Sequence, residues 1–143
     1  MPELPDLTVY LEALERRLQG ATLEGVRLRS PFLLRSVEPP LASAFGRTVI
    51  GLRRIGKRLV IGLEGNLEGE LFLVIHLMIA GRLQWKTRGT ALAGRAPLAG
   101  FDFSSGTLVL TEAGSKRRAA LYLVRGAGAL RALDPGGVEP LGL

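Results

Sequence analysis

Gly81-Arg82-Leu83-Gln84-Trp85-Lys86 sets apolar Leu83 and Trp85 in strict alternation with polar Arg82, Gln84 and Lys86. A period of two sends successive side chains to opposite faces, which predicts a strand with one buried and one wet face. The same period recurs on both sides of this stretch. Val26 and Leu28 alternate with Arg27 and Arg29; Leu59, Ile61 and Leu63 follow Arg58; Phe101 and Phe103 flank Asp102. Further strands are predicted near 48–54, 70–77, 106–112 and 119–125. Turn formers separate them: Gly46, Gly56, Glu64-Gly65-Asn66, Gly69, Gly81 and Ser104-Ser105-Gly106. Near the start the period is helical instead. Leu7, Leu11, Leu14 and Leu18, with Tyr10 beside them, predict a helix over 6–19 that has Pro5 in its first turn and Gly20 just past its end. A short helix is expected over 127–133, and 87–99 reads as an exposed Gly/Ala-rich loop. The expected fold is mainly β with flanking helices: a β-sandwich of about eight strands, an N-terminal helix and a short C-terminal helix.

Length and composition narrow the function. The chain has 143 residues, of which 47% are apolar and 22% charged, values of one globular domain and not of a disordered or collagen-like chain. Apolar stretches such as Leu71–Ile75 are far short of a membrane span. The opening MPELPD lacks the basic and apolar regions of a secretory signal. With no Cys and a single His, neither a cysteine zinc site nor a histidine metal centre is expected here. Lys and Arg total 19 against 13 Asp and Glu, a formal charge of +6, and only Lys57, Lys86 and Lys116 are lysines. Arginine makes forked bonds to phosphate and stacks on bases, so an anionic partner is expected, nucleic acid foremost. Arg-rich composition also accompanies GC-rich or thermophilic sources.

The front of the chain carries the chemistry. Removal of Met1 would leave Pro2 with a free secondary amine, a good nucleophile toward an aldehyde-like carbon and able to form an iminium directly. The electropositive end of a helix favours the neutral amine, whereas Glu3 opposes that effect and is placed to act as a general acid or base. If Met1 stays attached, the Pro2 nitrogen is an amide and cannot react. Pro2 and Pro5 would equally serve only to start a helix, with Glu3 complementing its dipole.

Met1-Pro2-Glu3-Leu4-Pro5-Asp6 resembles the opening of the formamidopyrimidine-DNA glycosylase family, relatives of endonuclease VIII; Asp6 stands where that family commonly has Glu, and Leu4 matches the first branch better than the second. Three further segments follow in order. Arg54-Ile55-Gly56-Lys57-Arg58 resembles the family's Gly-Lys turn, Ile75–Leu83 its His-Leu-Gly-Met-x-Gly segment, and Asp134–Leu141 its stretch before a second domain. The similarity runs over essentially the whole chain.

The resemblance implies roles residue by residue. Pro2 would attack C1′ of a damaged nucleotide and expel the base, Glu3 would protonate or stabilise the opening sugar, and Lys57 would contact the phosphate beside the lesion. The iminium would acidify the C2′ hydrogen, and elimination of the 3′ phosphate would nick the strand, without a metal. His76 would bind backbone phosphate, against the plain alternative of a hydrogen-bonded strand histidine. Flipping a nucleotide out of the duplex leaves a gap that side chains fill. The family uses Met from its His-Leu-Gly-Met loop, and Arg and Phe from an Arg-Arg-Phe-Gly loop. Here Met78 and Ile79 stand where Gly-Met is expected, so either is the candidate wedge. The second loop, Gly114-Ser115-Lys116-Arg117-Arg118-Ala119, has no Phe. Three adjacent cations in a turn are costly without a partner, so Lys116, Arg117 and Arg118 are expected to contact DNA.

The resemblance also implies a domain organisation: a catalytic-type N-terminal domain over 1–133, the start of an interdomain linker over 134–143, and an absent half with a helix-two-turn-helix segment and a zinc finger. No cofactor is expected in this chain, since the zinc ion would belong to that half. The expected protein is a bacterial, cytoplasmic, nucleoid-associated monomer acting on damaged double-stranded DNA and oxidised purines, with no membrane or small-molecule cofactor as partner. This chain alone would be weak or inactive. Two other readings stand beside it: a non-catalytic nucleic-acid-binding β-domain of the same fold, and an N-terminal-proline enzyme acting on small keto acids, which the Arg-rich strands disfavour.

Overall fold

The computed structural model describes residues 3–66, 69–114 and 116–133, with side chains from residue 11 onward except Asn66. Among them lie two helices, eight strands and a short 3-10 helix over Leu41–Ala44 that the sequence pattern did not predict. Helix α1 covers Glu3–Leu18 and helix α2 covers Gly126–Ala132. The strands are β1 (Leu23–Leu28), β2 (Val49–Ile55), β3 (Arg58–Asn66), β4 (Gly69–His76), β5 (Gly81–Lys86), β6 (Pro97–Phe103), β7 (Gly106–Glu112) and β8 (Ala120–Arg125). They form two antiparallel four-stranded sheets, the first ordered β1-β6-β7-β5 and the second β2-β3-β4-β8. The expected β-sandwich with helices at both ends of the chain is what forms.

One core fills the space between the sheets. Leu59, Ile61 and Leu63 from β3 and Leu71, Leu73 and Ile75 from β4 meet Phe101, Phe103, Leu108 and Leu110 from the first sheet, all completely buried. The sandwich is closed along both sides. On the β2/β5 side α1 inserts Leu14 and Leu18 into the core. Its last turn is fixed there: Gly20 N–H donates to the Val49 carbonyl, the Ser105 hydroxyl to the Arg17 carbonyl, and the Arg17 guanidinium lies over the Trp85 ring. On the β1/β8 side the segment 29–36 runs as a strap along the free edge of β8. Arg35 N–H donates to the Leu121 carbonyl, Leu121 N–H to the Leu33 carbonyl, and Leu123 N–H to the Ser36 hydroxyl. A free strand edge is a template for unwanted pairing, and this strap covers it.

Two expectations are corrected. The second sheet does not have a wet outer face where α2 lies: Ile55, Val60, Phe72, Val74 and Val124 form a second, smaller core with Leu130 of α2. The continuous apolar run of β4 reflects burial on both faces. The predicted loop 87–99 also ends early, because Pro97–Gly100 belongs to β6. Flanked by β1 and β7, that strand is held by ladders on both edges, which override the low strand propensity of Pro, Ala and Gly. Its proline takes the first position, where a missing N–H is tolerated. Residues 134–143, expected as a linker, lie outside the described residues.

Candidate functional site

Strand register brings the predicted residues to one end of the sandwich. In the second sheet His76 pairs with Arg58 on one side and Ala120 on the other. In the first sheet Gly81 pairs with Glu112. Two of the three connections that cross between the sheets lie at this end, residues 77–80 from β4 to β5 and residues 113–119 from β7 to β8; the third, residues 29–48, joins β1 to β2. Beside them sits the two-residue turn between β2 and β3, closed by the Ile55–Arg58 pair. Gly56 takes φ +63 there, a conformation that costs glycine little, and Lys57 follows it, exposed.

His76 ends β4, half-buried. Burial holds its imidazole below the ordinary 6.5, and the neighbouring Arg58 and Lys57 cations push the same way. It is therefore mainly neutral near pH 7, a hydrogen-bonding group among cations.

The turn after it is tightly built. Gly81 N–H donates to the Leu77 carbonyl at 2.9 Å, and a Cβ at Gly81 would collide with that carbonyl oxygen. Met78 is the one non-glycine with positive φ, +58, among the described residues. It stands in the slot where the resembling motif has glycine and takes the backbone conformation glycine adopts freely. That twist leaves Met78 36% exposed and turns Ile79 out to 85% exposure. Arg82 braces the turn by donating to the Ile79 carbonyl (3.1 Å) and the Gly81 carbonyl (2.8 Å).

Lys116, Arg117 and Arg118 have separate fates. Arg117 donates to the Gly114 carbonyl (3.3 Å) and the Arg95 carbonyl (2.7 Å), so its fork stiffens the loop. Lys116 and Arg118 are exposed. Sequence reasoning missed Glu112, which is 1% exposed and directs its carboxylate at the loop backbone, accepting Arg118 N–H (3.0 Å) and Ala119 N–H (3.1 Å). The available signal was an acid ending a strand shortly before three cations. Arg35 was missed as well; it ties the strap to this end by donating to the Phe32 carbonyl (2.7 Å) and the Ala119 carbonyl (3.3 Å).

Pro2 lies outside the described residues. Glu3 is the first residue of α1, with its side chain outside the described set. Among the described residues no group of three His, Asp or Glu side chains is placed to hold a metal ion, and no helix is long and apolar enough to cross a membrane.

Fold and rim together define a class: a two-sheet antiparallel sandwich with cations and exposed apolar tips gathered where the chain crosses between its sheets. Residues 1–121 match the family described as formamidopyrimidine-DNA glycosylase N-terminal domain, and the chain belongs to that family. A formamidopyrimidine-DNA glycosylase of Acidovorax sp. (strain JS42) is 33% identical over 147 residues, covering 99% of this chain and 50% of the relative. One from Dechloromonas aromatica (strain RCB) is 38% identical over 87 residues, covering 59% of this chain and 31% of the relative. In fold, the chain is similar to Lactococcus lactis Fpg solved with DNA containing an abasic site, with a TM-score of 0.76 at 20% identity, covering 92% of this chain and 46% of that one. The same protein solved with DNA containing an oxidised pyrimidine also gives 0.76, at 21% identity. This chain spans about half the length of the Acidovorax relative and of the structures it matches.

Proposed function

We propose that this chain is the catalytic-type N-terminal domain of a bifunctional DNA glycosylase and abasic-site lyase that acts on oxidised purines in duplex DNA in the bacterial cytoplasm. The observation that carries the reading is the gathering of Lys57, His76, the Met78-Ile79 turn and Arg118 at one end of the sandwich. Lys57 and Arg118 would meet phosphates. A neutral His76 would donate a hydrogen bond to a phosphate oxygen. Ile79, rather than Met78, is the better candidate to enter the gap left by a flipped nucleotide, because it is the more exposed of the two.

Helix geometry supports Pro2 and Glu3 as partners of this end. The last turn of α1 is anchored beside Val49, where β2 begins, and α1 packs on β2. Sixteen helical residues span about 24 Å. The seven residues of β2 span about 23 Å. A helix running back along that strand would bring its first turn to the level of Gly56 and Lys57. There the free Pro2 nitrogen would attack C1′, the C1′–base bond would break with a proton delivered to the base, and loss of ring oxygen to an alcohol would leave a C1′ iminium. Removal of the C2′ proton then expels the 3′ phosphate and nicks the strand. Glu3 is the proposed proton carrier.

Borohydride trapping on abasic-site duplex tests this, using protein whose N-terminal mass shows Pro2 free. A covalent protein–DNA adduct that Pro2→Gly and Glu3→Gln diminish is the expected result. Duplex binding without any adduct, unaltered in both variants, would instead establish the non-catalytic DNA-binding reading.

A further inference from the structure

Phe32 is 79% exposed, whereas Phe72, Phe101 and Phe103 are buried. Its backbone is nonetheless firmly held. The Phe32 carbonyl accepts from Arg35, its N–H donates to the Ser30 hydroxyl at 3.4 Å, and the next residue, Leu33, is buried and accepts from Leu121 N–H. Arg35 donates to both the Phe32 and the Ala119 carbonyls, so the turn that carries Phe32 lies beside Ala119. It thus stands next to Arg118 at the cationic end, outside β8.

Charge decides what such a ring meets. Around it are Arg35, which donates to the uncharged carbonyls of Phe32 and Ala119, and exposed Arg118, the neighbour of Ala119. A purely apolar protein surface would have to desolvate those cations. A partner with negative charge and flat apolar faces satisfies both features, and that combination is nucleic acid. We propose that Phe32 is a base-stacking residue whose ring takes the face of a base bordering an abasic gap. This inference rests on the duplex-binding reading of the same end. Val37 makes a built-in comparison: it is 82% exposed on the same side of the molecule, but it lies beyond Ser36 and beside Glu38.

The test uses a duplex with a tetrahydrofuran abasic analogue opposite 2-aminopurine, and an intact duplex of the same sequence. Phe32→Ala is expected to weaken binding to the abasic duplex by about five- to fiftyfold and to abolish the 2-aminopurine fluorescence change, while Phe32→Trp stays within about threefold of the parent. Val37→Ala should match the parent, and the intact duplex should discriminate little among them. Unchanged circular dichroism shows that each variant is folded. If the parent binds the abasic duplex and Phe32→Ala binds it equally with the same fluorescence change, stacking by Phe32 is overturned and the duplex-binding reading survives. If the parent binds neither duplex, both fall.

Discussion

The outer face of the first sheet and the crossover end of the sandwich use arginine in opposite ways. On the sheet face, Arg27 makes two 2.8 Å bonds to Asp102, and Arg88 pairs with Glu24 at 2.8 Å. Those two guanidinium groups are neutralised, whereas Arg29, just past β1, donates to the Leu92 and Gly94 carbonyls. At the crossover end Arg35, Arg82 and Arg117 spend their donors on backbone carbonyls. A carbonyl fixes the geometry of a guanidinium without cancelling its charge. The acid that strand register puts at this end, Glu112, is buried and engaged with amide N–H groups. Similar side chains therefore produce a neutral patch in one place and a rigid cationic rim in the other, and only the second attracts a polyanion over distance.

Substitutions in both places sharpen that contrast. Glu112→Ala should have the largest effect, about 2–3 kcal/mol of unfolding free energy in denaturant titration, because it strands buried amides and frees the cationic loop. Asp102→Asn should cost less, about 1 kcal/mol, since Arg27 is partly exposed and its charge is screened. Burial by itself would raise the Asp102 carboxyl, but the bonds from Arg27 and Thr107 and the charges of Arg27 and Arg88 outweigh it and hold it below 3.8. Its stabilisation is thus complete above pH 3.8 and lost as pH falls through the lowered value, and the variant's acid-unfolding profile should lack that limb.

Met78→Val places a β-branched residue at positive φ and should destabilise by about 1 kcal/mol, whereas Ile79→Ala, at an exposed position, should stay within about 0.5 kcal/mol. His76→Gln should have the smallest effect on stability. The folded imidazole titrates below 6.5, so the parent gains stability with rising pH up to about that value and the variant should show no such slope there. A phosphate beside His76 reverses the local charge, so duplex binding by the parent should tighten as pH falls toward about 6.

Much of this was legible in the sequence. Alternation located the strands because the inner face of each sheet is continuous, as in Leu83 and Trp85 against Arg82 and Lys86. The helix was recognised from Leu7, Leu11, Leu14 and Leu18 but begins earlier than the expected 6–19, at Glu3, because Pro5 in the first turn does not interrupt it. Strand Pro97–Gly100 was hidden because its residues are poor strand formers and only its neighbours make it one. Gly56-Lys57 and His76–Gly81 were readable as local motifs. Arg35 and Phe32 were not, because their meaning lies in the packing of the strap along β8, which a linear pattern does not carry; Glu112 left only the weak signal of an acid ending a strand before three cations.

Salt dependence of duplex affinity tests the contrast most directly. The slope of log Kd against log salt should become shallower by about 1.8 when Lys57→Gln and Arg118→Gln are combined, about 0.9 for each phosphate left without its cation. Arg88→Gln on the neutral face should leave it unchanged. Equal slopes for the parent and the double variant, or an equal change from Arg88→Gln, would contradict the assignment of the crossover end as the DNA-binding surface.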